Sequence, residues 1–155
     1  MTTGHNAIPL LMIPKVSSLG GKPGLRTVFD KQEQNLNTYK LASPLPDIEE
    51  ILREVSKHRY RSLIDGKDAY EQIRVVPEHV PQTLFMMPDG MMESLVMQQG
   101  DANAGATYQT LMNHLFASYI GAFMFVYLDD IIIFSDSAED HMEHVNKVFD
   151  VLRKE

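Results

Sequence analysis

Residues 123–134 read FMFVYLDDIIIF. Two apolar runs, FMFVY and IIIF, are each long enough for a strand, and Leu128, Asp129 and Asp130 fall where a tight turn between them belongs. A strand pair that is apolar on both faces is a buried one. The carboxylates at its turn are therefore either ordinary turn residues or a deliberately placed charge pair. Two like charges that close repel each other and raise one pKa unless a cation lies between them. A divalent ion supplies that cation, and Mg²⁺ takes one or two carboxylates plus substrate phosphate oxygens.

A third acid shifts the balance toward the charged reading. Asp65 closes another apolar strand, SLID (62–65), and is followed by Gly66, Asp68, Ala69 and Tyr70. An adjacent antiparallel strand would bring Asp65 beside Asp129. Three carboxylates on two strand ends suit a two-metal site for phosphoryl transfer. Spacing alone leaves the adjacency open.

The 155-residue chain is long enough for one ordinary domain with its own core, and its 44% apolar content argues against disorder. It has no run of 18 uncharged apolar residues, and MTTGHNAIPLLMIPK (1–15) has no basic region ahead of its apolar run, so neither a membrane span nor a signal peptide is expected. With no cysteine, disulfides and thiolate metal sites are excluded and an intracellular setting is expected. The net charge of −7 is unevenly spread. Residues 1–74 hold eleven Lys and Arg against nine Asp and Glu, a net of +2, whereas residues 75–155 hold three against twelve, a net of −9. Lys15, Lys22, Arg26, Lys31 and Lys40 are thus candidates for one anion-attracting surface, with scattered solvated charges as the alternative.

Working outward, the elements alternate between α and β without an internal repeat. Residues 8–16 and 25–30 read as strands around VSSLGGKPG (16–24), a flexible loop carrying Lys22. A helix is expected from Asp47 to about His58, preceded by prolines 44 and 46, with Ile48, Ile51, Leu52 and Val55 on one face. Residues 83–97 read as a β-hairpin around Pro88-Asp89-Gly90, and a helix is expected from Ala104 to Ile120. A last helix starts at Ser137, with Asp140 as its capping-box partner and Met142, Val145, Val148, Phe149 and Leu152 as its core stripe. On that helix His141, Glu143 and His144 read as solvated surface rather than a metal pair. Met86, Met87, Met91, Met92 and Met97 read as packing residues rather than an adaptable binding surface.

These motifs resemble, in order and separation, the reverse transcriptases of long-terminal-repeat retrotransposons and retroviruses, most closely the gypsy-type elements. YLDDIIIFSDSAEDHMEHVNKVFDVLRK (127–154) is similar to that family's Tyr-x-Asp-Asp hairpin and following helix. LIDGKDAYEQIRV (63–75) is similar to the motif bearing the first catalytic aspartate, and the similarity extends upstream through RTVFDKQEQNLNTYKLASPLPDIEEIL (26–52). The resemblance implies an α+β fold: a polymerase palm of antiparallel strands backed by helices (40–74 and 99–155), with an interleaved fingers subdomain (1–39 and 75–98). Thumb, connection and ribonuclease H portions of the same polyprotein are expected to lie outside residues 1–155.

Carried over residue by residue, the resemblance implies that Asp65 and Asp129 ligate two Mg²⁺ ions, with Mn²⁺ as an alternative. Asp130 would contribute charge beside them and Gly66 a backbone carbonyl. Asp68 and Ala69 fall where backbone amides hold the triphosphate, and Tyr70 where a rigid ring collides with a 2′-hydroxyl and so selects deoxynucleotides. Arg26 matches the fingers arginine on the triphosphate, a guanidinium able to bond two phosphate oxygens. Lys15 matches the lysine at the γ-phosphate, with Lys22 as competitor, and Gln99 and Gly100 match the segment against nucleotide and template. Asp30 and Asn35 fall at structural fingers positions.

The chain departs from the family pattern at several places. Gln98-Gln99-Gly100 replaces the usual Pro-Phe-Gly, Lys31 and Gln32 stand where an aromatic and an arginine are common, and Asp101 adds a negative charge beside the expected nucleotide pocket. The implied function is RNA-directed DNA polymerase, with dNTP and an RNA or DNA template with primer as partners. The setting would be cytoplasm, virus-like particle or nucleus. The alternatives are a noncatalytic remnant reused as an interaction or nucleic-acid-binding module, and another acidic-pocket nucleotidyl transferase or cyclase.

Overall fold

The computed structural model describes residues 7–15, 24–43 and 45–154. In chain order the elements are β1 (Leu10–Lys15), β2 (Gly24–Phe29), α1 (Gln32–Leu36), α2 (Ile48–Val55), β3 (Tyr60–Asp65), β4 (Phe85–Met87) and β5 (Gly90–Met92). They continue with α3 (Ala104–Leu115), β6 (Met124–Tyr127), β7 (Asp130–Ser135) and α4 (Ala138–Lys154). Short 3₁₀ helices cover Ala69–Gln72 and Pro77–Thr83. The fold class is α+β, every strand pair being antiparallel. The chain divides into two units, Met1–Lys40 with Tyr70–Ala104, and Leu41–Ala69 with Gly105–Glu155. No helix among the described residues is long and apolar enough to cross a membrane.

In the first unit β1 pairs with β2 along their whole length, Leu10 opposite Phe29 and Lys15 opposite Gly24. Ile8 bridges to Phe85 and is buried, and Phe29 meets the Phe85 ring edge-on at 5.0 Å. The hairpin expected over 83–97 is much shorter, two three-residue strands around Pro88-Asp89. Pro77 and Pro81 set up a 3₁₀ helix just before it, because each fixes φ and lacks an N–H for a ladder. Met86 and Met91 pair across the hairpin and are exposed, so they are not core. The loop around Lys22 and the residue Pro44 lie outside the described residues.

The second unit carries a three-stranded sheet ordered β3-β7-β6. β7 is central, so its apolar run is covered on both faces. Phe134, with Ile132, Phe125 and Tyr127, packs against Ile51 and Val55 of α2. Ile131, Ile133 and Ser135 alternate to the other face and are buried. α2 is capped by Asp47, whose carboxylate accepts the Glu49 N–H at 2.9 Å, but of its expected apolar face only Ile51 and Val55 are buried. Ile48 and Leu52 are exposed. α3 ends at Leu115, five residues short of expectation.

α4 is capped as its sequence promises: Ser137 Oγ accepts the Asp140 N–H at 3.1 Å and donates to the Asp140 carboxylate at 2.7 Å. Its buried face, however, is rotated from the expected stripe. Met142 is exposed, Phe149 and Leu152 lie at the margin, and Val148 is wholly buried. The face turned inward includes His141 and His144, which correct their reading as solvated surface. Ser135 Oγ bonds both imidazoles, at 3.0 Å to His141 Nδ1 and 2.8 Å to His144 Nδ1. His141 Nε2 also reaches Ser62 of β3 at 2.8 Å, and His144 stacks on Phe123 at 4.0 Å.

Candidate active site

The three acids of the sequence motifs lie at one end of the β3-β7-β6 sheet. Asp65, the last residue of β3, is the register partner of Asp130, the first residue of β7. Directly paired residues share a face, with Cβ atoms about 4.5–5.5 Å apart. Asp130 also pairs with Tyr127 of β6, so the turn consists of Leu128 and Asp129 alone. Asp130 is thus a strand residue and not part of the turn. Asp129 is tied to Asp65 through the next residue: its carbonyl accepts the Gly66 N–H at 3.0 Å.

This proximity has an electrostatic signature. Burial, and then the charges of Asp129 and Asp65, push the Asp130 carboxyl above its ordinary value. Partial removal from water disfavours the ionised form, and two neighbouring carboxylates add to that. The donor set suits a hard divalent cation bound partly by something other than protein. Among the described residues no three His, Asp or Glu side chains gather into a ready cage. Mg²⁺, which takes one or two carboxylates and completes its shell with water and phosphate oxygens, does not require one.

Local backbone holds the turn in place. Leu128 has φ of 54°, the left-handed region that two-residue hairpin turns use and that a residue with a Cβ enters at a cost of about 1 kcal/mol. Its side chain lies over Gly105, where an added Cβ would meet Leu128 Cδ2 at 3.3 Å. Gln109 of α3 offsets the strain. Its side chain is fully buried; Oε1 accepts the Leu128 N–H at 2.9 Å and Nε2 donates to the Val126 carbonyl at 3.1 Å. Nε2 also donates to Asn113 Oδ1 at 2.9 Å. Sequence reasoning missed Gln109, since a polar residue in an amphipathic helix looks like any other. Gly66 is equally constrained, for a Cβ there would lie 3.0 Å from Ala69 Cβ and 3.2 Å from the Asp129 carbonyl oxygen.

Asp68 is exposed with φ of 51°, Ala69 is buried, and Tyr70 is half-buried in the 3₁₀ helix that begins at Ala69. Lys15 ends β1 and Arg26 lies opposite Ile13 on β2, a pair of strands in the first unit. Gln99 and Gly100 are exposed, and Gly100 takes φ of 104°. Asn35 is structural, donating to the Gly100 carbonyl at 2.8 Å and accepting the Ala102 N–H at 2.8 Å. The two charged departures Lys31 and Asp101 form an ion pair. Asp101 therefore does not stand as an uncompensated negative charge.

A family model described as reverse transcriptase (RNA-dependent DNA polymerase) matches residues 17–155. The chain is 35% identical over 141 residues to a retrovirus-related Pol polyprotein from transposon 297 of Drosophila melanogaster, covering 91% of this chain and 13% of that protein. It is 31% identical over 148 residues to the corresponding polyprotein from transposon gypsy of the same organism, covering 96% and 14%. Among solved structures, prototype foamy virus protease-reverse transcriptase shares the fold with a TM-score of 0.85 at 22% identity, over 97% of this chain and 19% of that one. A foamy viral protease-reverse transcriptase in complex with an RNA/DNA hybrid gives a TM-score of 0.84 at 22% identity, over 97% and 19%. The chain thus spans 13–19% of the length of these relatives.

Proposed function

The chain belongs to the reverse transcriptase (RNA-dependent DNA polymerase) family, and from that premise we propose that it is the nucleotidyl-transfer core of a retrotransposon polyprotein. The reaction is attack of a primer 3′-hydroxyl oxygen on the α-phosphorus of a dNTP, directed by a template; the bond to the bridging oxygen breaks, pyrophosphate leaves and the hydroxyl proton passes to solvent. The second unit corresponds to the palm and the first to the fingers, and the remaining polyprotein portions are the partners that complete the duplex grip. An intracellular setting goes with this reading.

The observation that carries the proposal is the register pairing of Asp65 with Asp130 beside the Asp129 turn. Asp65 and Asp129 would hold two Mg²⁺ ions, which when bound neutralise phosphate charge and favour ionisation of the attacking hydroxyl. Asp130 adds negative potential that draws cations to this sheet end. Gln109 and Gly66 keep the turn and its carboxylate in one conformation, which positioning-dominated phosphoryl transfer requires. The resemblance assigns the triphosphate contacts to Arg26 and Lys15 and the sugar discrimination to Tyr70.

Primer extension on an RNA template with Mg²⁺ tests this. The wild-type chain is expected to add nucleotides and Asp129→Asn to add none. Equal incorporation by the two removes Asp129 from the chemistry. Calorimetric titration with Mg²⁺ reads the site without turnover, and binding is expected to weaken at least tenfold in Asp65→Asn. Mg²⁺ binding without extension by the wild type would support the reading of the chain as one portion of a polymerase that needs the remaining portions to hold its duplex.

A further inference from the structure

Lys31 has a side chain only 3% exposed, and an ammonium so far out of water needs a partner. Its Nζ donates to Asp101 Oδ1. The other carboxylate oxygen, Oδ2, accepts the Gln98 N–H at 3.1 Å. Asp101 N–H donates to the Gln98 carbonyl at 3.2 Å, and the Asp101 carbonyl accepts from Ala104 N–H at 3.0 Å. Asn35, one turn beyond Lys31 and joined to it by a backbone bond of 2.8 Å, grips the Gly100 carbonyl and the Ala102 N–H. The short helix α1 and its first flank thus hold the segment 98–102 on both sides of Gly100. Gln99 and Gly100 are left exposed between these anchors.

Lys31 stands where an aromatic is common in the family pattern, and each of the two charges alone is unfavourable. A buried lysine without an acid keeps an uncompensated charge, and an aspartate at this loop without a base leaves a negative charge beside a polyanionic ligand. Together they are a neutral strut. Buried and paired, Lys31 is not available as a phosphate clamp.

We infer that Lys31 and Asp101 act as one positioning unit that sets the Gln99–Gly100 segment for a deoxynucleoside triphosphate, neither residue touching the nucleotide. This rests on the polymerase reading of that segment.

A double-mutant cycle in the full chain tests it, with Lys31→Met, Asp101→Asn and the combination, reading thermal midpoint, equilibrium binding of a fluorescent dNTP with Mg²⁺, and extension kinetics. Each single variant is expected to weaken dNTP binding and raise KM about tenfold with kcat within about twofold, the size of coupling expected for contacting charges. The double variant and the conservative Lys31→Arg are expected to return to within about threefold of wild type. Asp101→Asn should be the worse single variant, because it strands the more deeply buried charge; if it does not fold, Lys31→Met against the double variant still reads the rescue of dNTP binding. Multiplicative losses in the double variant overturn the inference, as does a fall in thermal midpoint with dNTP affinity unchanged. A wild-type chain that binds dNTP equally well in Mg²⁺ and in chelator sinks the polymerase reading, while the binding cycle still judges the pair. A wild-type chain that does not bind dNTP overturns both.

Discussion

The side-chain oxygen of Gln109 accepts the backbone N–H of Leu128 at 2.9 Å, and Leu128 is the strained residue that delivers Asp129. The same amide donates to the Val126 carbonyl, so one buried glutamine grips the hairpin on both sides of its turn. Gln109→Leu keeps the volume but strands one donor and one acceptor away from water. Each such loss costs about 1–3 kcal/mol. The variant is expected to lower the thermal midpoint and to reduce primer extension more than tenfold. A variant that melts early yet extends primer normally would separate Gln109 from the positioning of Asp129.

The difference in how well these two residues show in the sequence is instructive. Asp129 and Asp130 interrupt an apolar run, and a charge inside a buried strand pair has no bland explanation once Asp65 is seen at another strand end. The hairpin, the central strand and the capped last helix were legible for the same reason: apolar period and cap chemistry are local. Gln109 acts through backbone atoms some twenty residues away, and no periodicity marks that. His141 and His144 carry no such mark, because this part of α4 docks through hydrogen bonds to Ser135 and not through an apolar stripe. Lys31 and Asp101 each looked like a separate anomaly, 70 positions apart, and only the fold makes them one feature.

Acid repulsion at the sheet end predicts a pH dependence in the metal-free chain. The Asp130 carboxyl is raised above the unfolded value of 3.8, so between that value and the raised one the folded state binds more protons than the unfolded state. Stability therefore falls as pH rises through that window and stays lowered above it. Asp130→Asn should raise the thermal midpoint at neutral pH in chelator and make no difference below the window. Adding Mg²⁺ should stabilise the wild type and narrow the gap. A midpoint unchanged by the substitution at neutral pH would contradict the mutual repulsion.

Gly66 has no room for a side chain. A Cβ would press on Ala69 Cβ at 3.0 Å and on the Asp129 carbonyl oxygen at 3.2 Å, so Gly66→Ala must push the hairpin away from β3. Overpacking of this kind costs about 1–3 kcal/mol. The displaced atom belongs to Asp129 itself, so Mg²⁺ affinity should fall together with stability. Calorimetric titration checks this, and unaltered Mg²⁺ binding would show that the hairpin gives way without moving its carboxylate.

The histidine pair makes the opposite prediction, a structural effect without a chemical one. His141 joins three elements, bonding Ser62 of β3 through one ring nitrogen and Ser135 of β7 through the other, from its place on α4. His144 bonds the same buried Ser135 and stacks on Phe123 with ring planes 9° apart. His141→Ala removes both bonds and the packing of α4 against two strands, a loss of about 2–4 kcal/mol. His144→Phe keeps the ring stack and leaves Ser135 still bonded to His141, so its cost should be about 1 kcal/mol. Ser135 is the last residue of β7 and Asp130 the first, at opposite ends of the strand. Below their own melting temperatures both variants should therefore bind Mg²⁺ like the wild type. A reversed order in denaturant titration, or a loss of Mg²⁺ affinity in a folded variant, would show that the α4 contact reaches the acids through β7 after all.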